Sequence, residues 1–135
     1  MRRSVMIALS MAAGLSISAI QDLAAAAAIS YGALKTEATL KGEVYTDARG
    51  MTLYTYDEDL PGVSNCNDDC ARHWPPAIAD AHAAATGELS LVKRDDGTLQ
   101  WAAKGMPLYR FANDPKPGDV TGDKKNEVWH VAHPE

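Results

Sequence analysis

The sequence predicts a mainly β fold with small helical content, in which two pseudo-repeated β-hairpin units share one core beside a short helical turn that carries both cysteines. Three observations predict it. The stretch Gly50-Met51-Thr52-Leu53-Tyr54-Thr55-Tyr56-Asp57-Glu58-Asp59 returns as Gly105-Met106-Pro107-Leu108-Tyr109-Arg110-Phe111-Ala112-Asn113-Asp114, displaced by 55 positions (50 to 105), and a period this long marks a duplicated structural unit. Trp74 and Trp129 keep the same offset. Short alternating apolar runs are punctuated by glycine-bearing turns, the pattern of hairpins. With 135 residues the chain has room for one domain, or two small halves around a common core.

Residues 1–28 read as a cleavable export signal: Arg2 and Arg3, an apolar run from Val5 to Ile20, then small residues from Ala24 to Ala28. The run is shorter than the roughly 20 residues a membrane helix needs. No cysteine lies near the cleavage region, so the product is expected in the periplasm or outside the cell with neither a membrane span nor a lipid anchor. Residues 29–39 have no clear period and read as an N-terminal arm. Residues 40–135 then form a single β-rich domain of two repeats, at about 43–77 and 98–132. The net charge of -5 and the lack of a basic stripe exclude a nucleic-acid partner, because phosphate binding needs a concentrated positive field.

Taken in order, Leu40–Asp47 and Met51–Asp57 are two expected strands around Ala48-Arg49-Gly50, where a glycine can take the positive φ of a tight turn. Leu53 and Tyr54 point to opposite faces, so the second strand should be covered on both sides. Pro61-Gly62 turns the chain. Asn65–Trp74 suits a short helix capped by Ser64 or Asn65 and stopped by Pro75-Pro76. Leu89–Arg94 and Thr98–Ala103 form a second hairpin about Asp95-Asp96-Gly97, followed by the repeated strand Pro107–Phe111 and a closing strand Val128–Val131. That makes six strands and at most two helical turns.

A lone hairpin is marginal in water, whereas two equivalent ones can bury their apolar faces against each other about an approximate two-fold axis. Leu53 with Leu108, Met51 with Met106, and Trp74 with Trp129 are the expected core pairs. Asp59 and Asp114 each precede a proline-glycine turn whose amides a carboxylate can accept. The functional reading of the same residues makes Tyr54, Tyr109, Asp59 and Asp114 a binding surface.

Tyr54-Thr55-Tyr56-Asp57-Glu58-Asp59, Cys66 to Cys70 leading into Trp74-Pro75-Pro76, Arg94-Asp95-Asp96-Gly97 and Gly105-Met106-Pro107-Leu108-Tyr109 occur in that order. In these motifs the chain resembles the bacterial secreted-repeat family, described as predicted lipoproteins with a Tyr-x-aromatic-x-x-Asp motif. On this chain the motif residues are Tyr54, Tyr56 and Asp59, then Tyr109, Phe111 and Asp114, with Trp74. The resemblance implies a secreted β-rich repeat and supplies no catalytic residue or cofactor.

Cys66 and Cys70, four apart in an exported chain, most simply pair as a disulfide. Such a small ring stabilises by roughly 2 kcal/mol and fixes the loop presenting Trp74. The alternative makes Cys66, Cys70 and His73 soft ligands for copper or zinc, with His82, His130 or a methionine as fourth, or a thiol-redox pair. The acidic groups Asp57-Glu58-Asp59 and Asp119, Asp123, Glu127 miss the spacing of a calcium loop. With no nucleophile triad, phosphate loop or metalloprotease helix in the sequence, an enzyme is not the expectation. The leading expectation is a non-catalytic module that binds another envelope component through exposed tyrosine, tryptophan and acidic side chains. The alternative is a periplasmic metal-binding or redox protein.

Overall fold

Eight short strands, one α-helix and one 3-10 turn make up residues 33–135, the part of the chain that the computed structural model describes. The expected export signal and the start of the arm lie outside these residues. Strands β1 (Lys35–Thr39) and β2 (Gly42–Thr46) form an antiparallel ribbon, and β3 (Tyr54–Tyr56) pairs with β8 (Trp129–Val131). Helix α1 (Asp69–His73) leads to β4 (Ile78–Ala79), which joins β6 (Leu99–Ala103) and β5 (Leu89–Lys93) in one sheet, with β7 (Met106–Pro107) on β6. The 3-10 turn is Lys125–Glu127.

Two of the strands are additional to the six expected. The arm contributes β1, whose side chains are almost all exposed, so no apolar alternation betrayed it. Residues 78–79 contribute β4, which is too short to show a period. In the other direction, the run Met51–Asp57 narrows to β3 and keeps only the Thr46–Thr52 bridge with β2.

The two units differ by one residue at their turns. Ala103 and Met106 are paired across a two-residue loop, Lys104 and Gly105, with φ of 53° and 86°, the double left-handed geometry that suits the twist of adjoining strands. In the first unit Asp47 N–H donates to the Met51 carbonyl, closing a three-residue loop with Gly50 at φ 89°. Ahead of the turns the offset is therefore 56 positions (45 to 101): Tyr45 N–H donates to the Ala132 carbonyl, and Trp101 N–H to the Ala77 carbonyl.

Past the turns the units exchange partners instead of closing on themselves. Tyr54 and Tyr109 trade both backbone hydrogen bonds, at 2.7 and 2.9 Å, on the approximate two-fold axis. Strand β3 then pairs with β8 from the second unit, while Arg110 and Ala112 donate N–H bonds to Pro75 and His73 from the first. Alternation gives this crossing two buried faces. Leu53 and Leu108 pack on one side with Tyr45, Trp101, Ala77 and Ala132, and Tyr54 and Tyr109 lie on the other with Trp74, Trp129, Phe111 and Val131. Both leucines and both tyrosines have no exposed surface. The Leu and Trp core pairs therefore form as expected.

One imperfection interrupts this symmetry. The Thr52 hydroxyl is sealed from solvent without a hydrogen-bond partner, the only such side-chain atom among the described residues; the second unit has Pro107 at that position. Replacing the hydroxyl with a methyl of the same shape removes the desolvation cost. Thr52→Val is expected to raise the unfolding free energy by about 1 kcal/mol, read as a higher urea midpoint; an unchanged or lower midpoint contradicts the orphaned hydroxyl.

Candidate functional site

The motif residues form two reciprocal locks between the units. The Tyr54 hydroxyl donates to Asp114 Oδ2 and the Tyr109 hydroxyl to Asp59 Oδ2, each at 2.6 Å. The second oxygen of each acid holds its own turn: Asp59 Oδ1 accepts Asn65 N–H, and Asp114 Oδ1 accepts the N–H and hydroxyl of Thr121. Burial, with the neighbouring acid, pushes both phenols above their ordinary range. All four residues are buried, so they are not the exposed binding surface that their chemistry alone suggested.

Burial also raises the Asp59 carboxyl above its ordinary value, against the opposing hydrogen bonds from Tyr109 and Asn65 and the charge of Arg94. The native state then holds this proton more firmly than the unfolded chain. Its contribution to stability is full below the unfolded value of about 4 and is lost as pH rises through the native value. The destabilisation caused by Asp59→Asn is therefore expected to shrink as pH rises above about 4, as followed by urea midpoints. A gap that stays constant or widens contradicts it.

Cys66 and Cys70 are joined in a disulfide, with their α-carbons 5.2 Å apart. The expected helix starts late. Only Cys70 lies in α1, and Ser64 does not cap it, because the Ser64 hydroxyl is drawn to the Tyr109 oxygen at 2.6 Å. Since Tyr109 donates to Asp59, Ser64 donates to Tyr109. The loop is then pinned from the second unit by Arg94, 7% exposed, which donates to Ser64 Oγ, Gln100 Oε1, the Cys66 carbonyl and Asn67 Oδ1 at 2.7–3.1 Å. With the sulfurs bonded to each other no thiolate pair exists for copper or zinc. His130 is engaged with Asp57 at 2.8 Å, and among the described residues no group of three or more His, Cys, Asp or Glu is gathered for a metal ion.

Four aromatic rings stack in a ladder across the two-fold axis: Tyr56 on Trp129 at 4.2 Å, Trp129 on Trp74 at 3.8 Å, and Trp74 on Phe111 at 4.3 Å between centroids. Tyr54 meets Trp74 edge-on, and Tyr109 meets Trp129 in the same way, each at 5.3 Å. Gly122 is required beside the ladder, since a β-carbon there would lie 2.8 Å from Trp74 and 3.0 Å from Phe111. At the ladder's side opens a cleft of about 350 Å³, walled by Tyr56, Trp74, Phe111 and Trp129 and rimmed by His73, Asn113, Lys125 and Asn126. Helix α1 borders it from the first unit and the 3-10 turn from the second.

The two borders are built differently. The first has the disulfide-tied helix. The second holds Lys124, Asn126 and Glu127 at positive φ, of 65°, 50° and 63°, conformations that cost non-glycine residues energy and that collect at functional sites. Lys125 places its ammonium 5.9 Å from the Phe111 ring centroid.

The sequence pattern of a family described as a secreted repeat of unknown function matches the chain twice, over residues 35–78 and 90–133. The chain belongs to this secreted-repeat family. The two matched spans begin at β1 and within β5, so each repeat opens with its own hairpin. No curated protein and no solved structure matches the chain.

Of the residues that sequence reasoning singled out, the secreted-repeat fold gathers Tyr56, Trp74 and Phe111 at the cleft, with His73 on its rim and Cys70 behind it. It withdraws Tyr54, Tyr109, Asp59 and Asp114 into the locks. Lys125 and Asn126 carried no signal beyond lying in a polar loop, and Asn113 none beyond its place in the repeated stretch. Arg94 was visible as part of a motif, but its reach to Cys66 was not. Among the described residues no helix is long and apolar enough to cross a membrane.

Proposed function

We propose that this exported chain is a non-catalytic binding module of the periplasm or cell exterior, and that it takes an envelope component in the cleft on the two-fold axis. The observation that carries this reading is the division of labour between the copies. The repeated tyrosines and aspartates are occupied by one another, whereas the cleft sets two pairs of equivalent rings, Tyr56 with Phe111 and Trp74 with Trp129, beside a rim where the units differ. Four aromatic rings with a rim of amide, imidazole and ammonium groups can hold a ligand by stacking and hydrogen bonds. The rim offers no paired acid and base for a reaction.

Asn113 is exposed on the rim, so Asn113→Trp should fill the mouth without disturbing the core. In a screen of envelope-derived small molecules by tryptophan fluorescence, the wild type is expected to respond and the variant not, at equal urea midpoints. Turnover by the wild type that a single polar substitution abolishes would replace this reading with an enzymatic one. Stoichiometric copper or zinc in the exported protein, lost in Cys66→Ser, Cys70→Ser, would replace it with the thiolate one.

A further inference from the structure

We propose that the cleft receives a small organic carboxylate with a planar apolar body, its charged end met by the indole N–H groups of Trp74 and Trp129 and by Lys125. The proposal rests on the binding-module reading and adds the class of ligand.

The first ground is a pair of unanswered donors. Trp74 is 6% and Trp129 3% exposed, yet neither indole N–H has an acceptor among the described residues. Neither is sealed, since Thr52 Oγ1 is the one sealed and unpartnered side-chain atom. The cleft is the opening that both rings line. An indole nitrogen can only donate, so whatever completes the site brings acceptors.

The second ground is charge. The chain carries a net charge of -5, yet the lining of the cleft includes Lys125, His73, Asn113 and Asn126 and neither aspartate nor glutamate. A carboxylate there meets donors and a cation with no anion in the wall, and charge-assisted hydrogen bonds are the stronger kind. A bare anion would leave the other walls unused. The rings of Tyr56 and Phe111, with Val128 and the Cys70 side of the disulfide, present apolar surface and call for a flat hydrocarbon body. The volume of about 350 Å³ sits at the small end of ligand pockets, which limits the body to roughly a single ring with a short chain.

The third ground is how Lys125 is held. Its loop keeps three left-handed residues, Lys124, Asn126 and Glu127, and is tied to the ladder by Lys124 N–H donating to the Trp129 carbonyl at 2.6 Å. A strained turn fastened to the floor of the cleft sets the ammonium above Phe111.

Phenylacetate, its neutral analogue phenylacetamide and inorganic phosphate serve as probes on the exported protein with its disulfide intact, read by the indole N–H signals in proton–nitrogen correlation spectra. Phenylacetate at up to about 10 mM is expected to shift the signals of Trp74 and Trp129 and leave that of Trp101 in place. Phenylacetamide should bind about tenfold more weakly. Lys125→Met should weaken phenylacetate about fivefold and leave phenylacetamide unchanged. The proposal is overturned if phosphate moves both signals as strongly as phenylacetate, or if phenylacetate moves neither. Equal binding of acid and amide also overturns it while leaving the cleft a binding site, and a wild type silent throughout the envelope screen overturns the binding module itself.

Discussion

Trp129→Ala is expected to lower the unfolding free energy by about 3–5 kcal/mol, measured as a fall in the urea midpoint with the disulfide intact. The ring is 3% exposed and sits inside the ladder, with Trp74 on one face, Tyr56 on the other and the edge of Tyr109 against it. Removing it opens a cavity between aromatic neighbours that are fixed from three directions and cannot close over the space. Domains of this kind are stable by only about 5–15 kcal/mol, so the variant should lie near the edge of folding. The contrast is Tyr56→Leu at the ladder's half-buried end, where about 1 kcal/mol is expected. Equal losses at the two positions would contradict a ladder whose inner rungs bear the load.

Arg94→Met should cost a similar amount, about 3–5 kcal/mol, through polar groups left without partners instead of lost volume. Its guanidinium answers Ser64, Gln100, the Cys66 carbonyl and Asn67 together. Ser64 in turn donates to Tyr109, and Tyr109 to Asp59, so the substitution also loosens one of the two locks. Arg94→Lys keeps the charge but not the planar fork and is expected to recover only part of the loss. Full recovery by lysine, or a cost below about 1 kcal/mol for methionine, would show that the arginine acts as a solvated surface charge.

The sequence made the duplication legible, because the Gly-Met-x-Leu-Tyr register survives in both copies and its alternation fixes which side chains face which core. The stacking of Trp74 on Trp129 followed from the shared offset. Less could be read where pairing is decided between units. A strand shows its own two faces and not its neighbour, so the exchange of partners past Tyr54 and Tyr109 was hidden, and with it the burial of the motif acids. Strand β1 was hidden for another reason: it packs no apolar face, and its pairing with β2 is held by the backbone. The cleft escaped although its four rings stand at repeated positions, because its rim comes from Cys70 to His73 and from Lys125 to Val128, segments at the same offset that share no residue. Its best clue, lysine, asparagine and glutamate in left-handed conformations, exists only in the folded backbone.

The reciprocal Tyr–Asp locks also bear on how such a chain could have arisen. A solitary unit would expose one phenol and one carboxylate with no mate, and could satisfy both only by closing with an identical twin. The duplicated chain is in that sense a homodimer written into a single polypeptide. Fusion released the twins from having to be alike, and one could then acquire a disulfide while the other acquired a cationic loop.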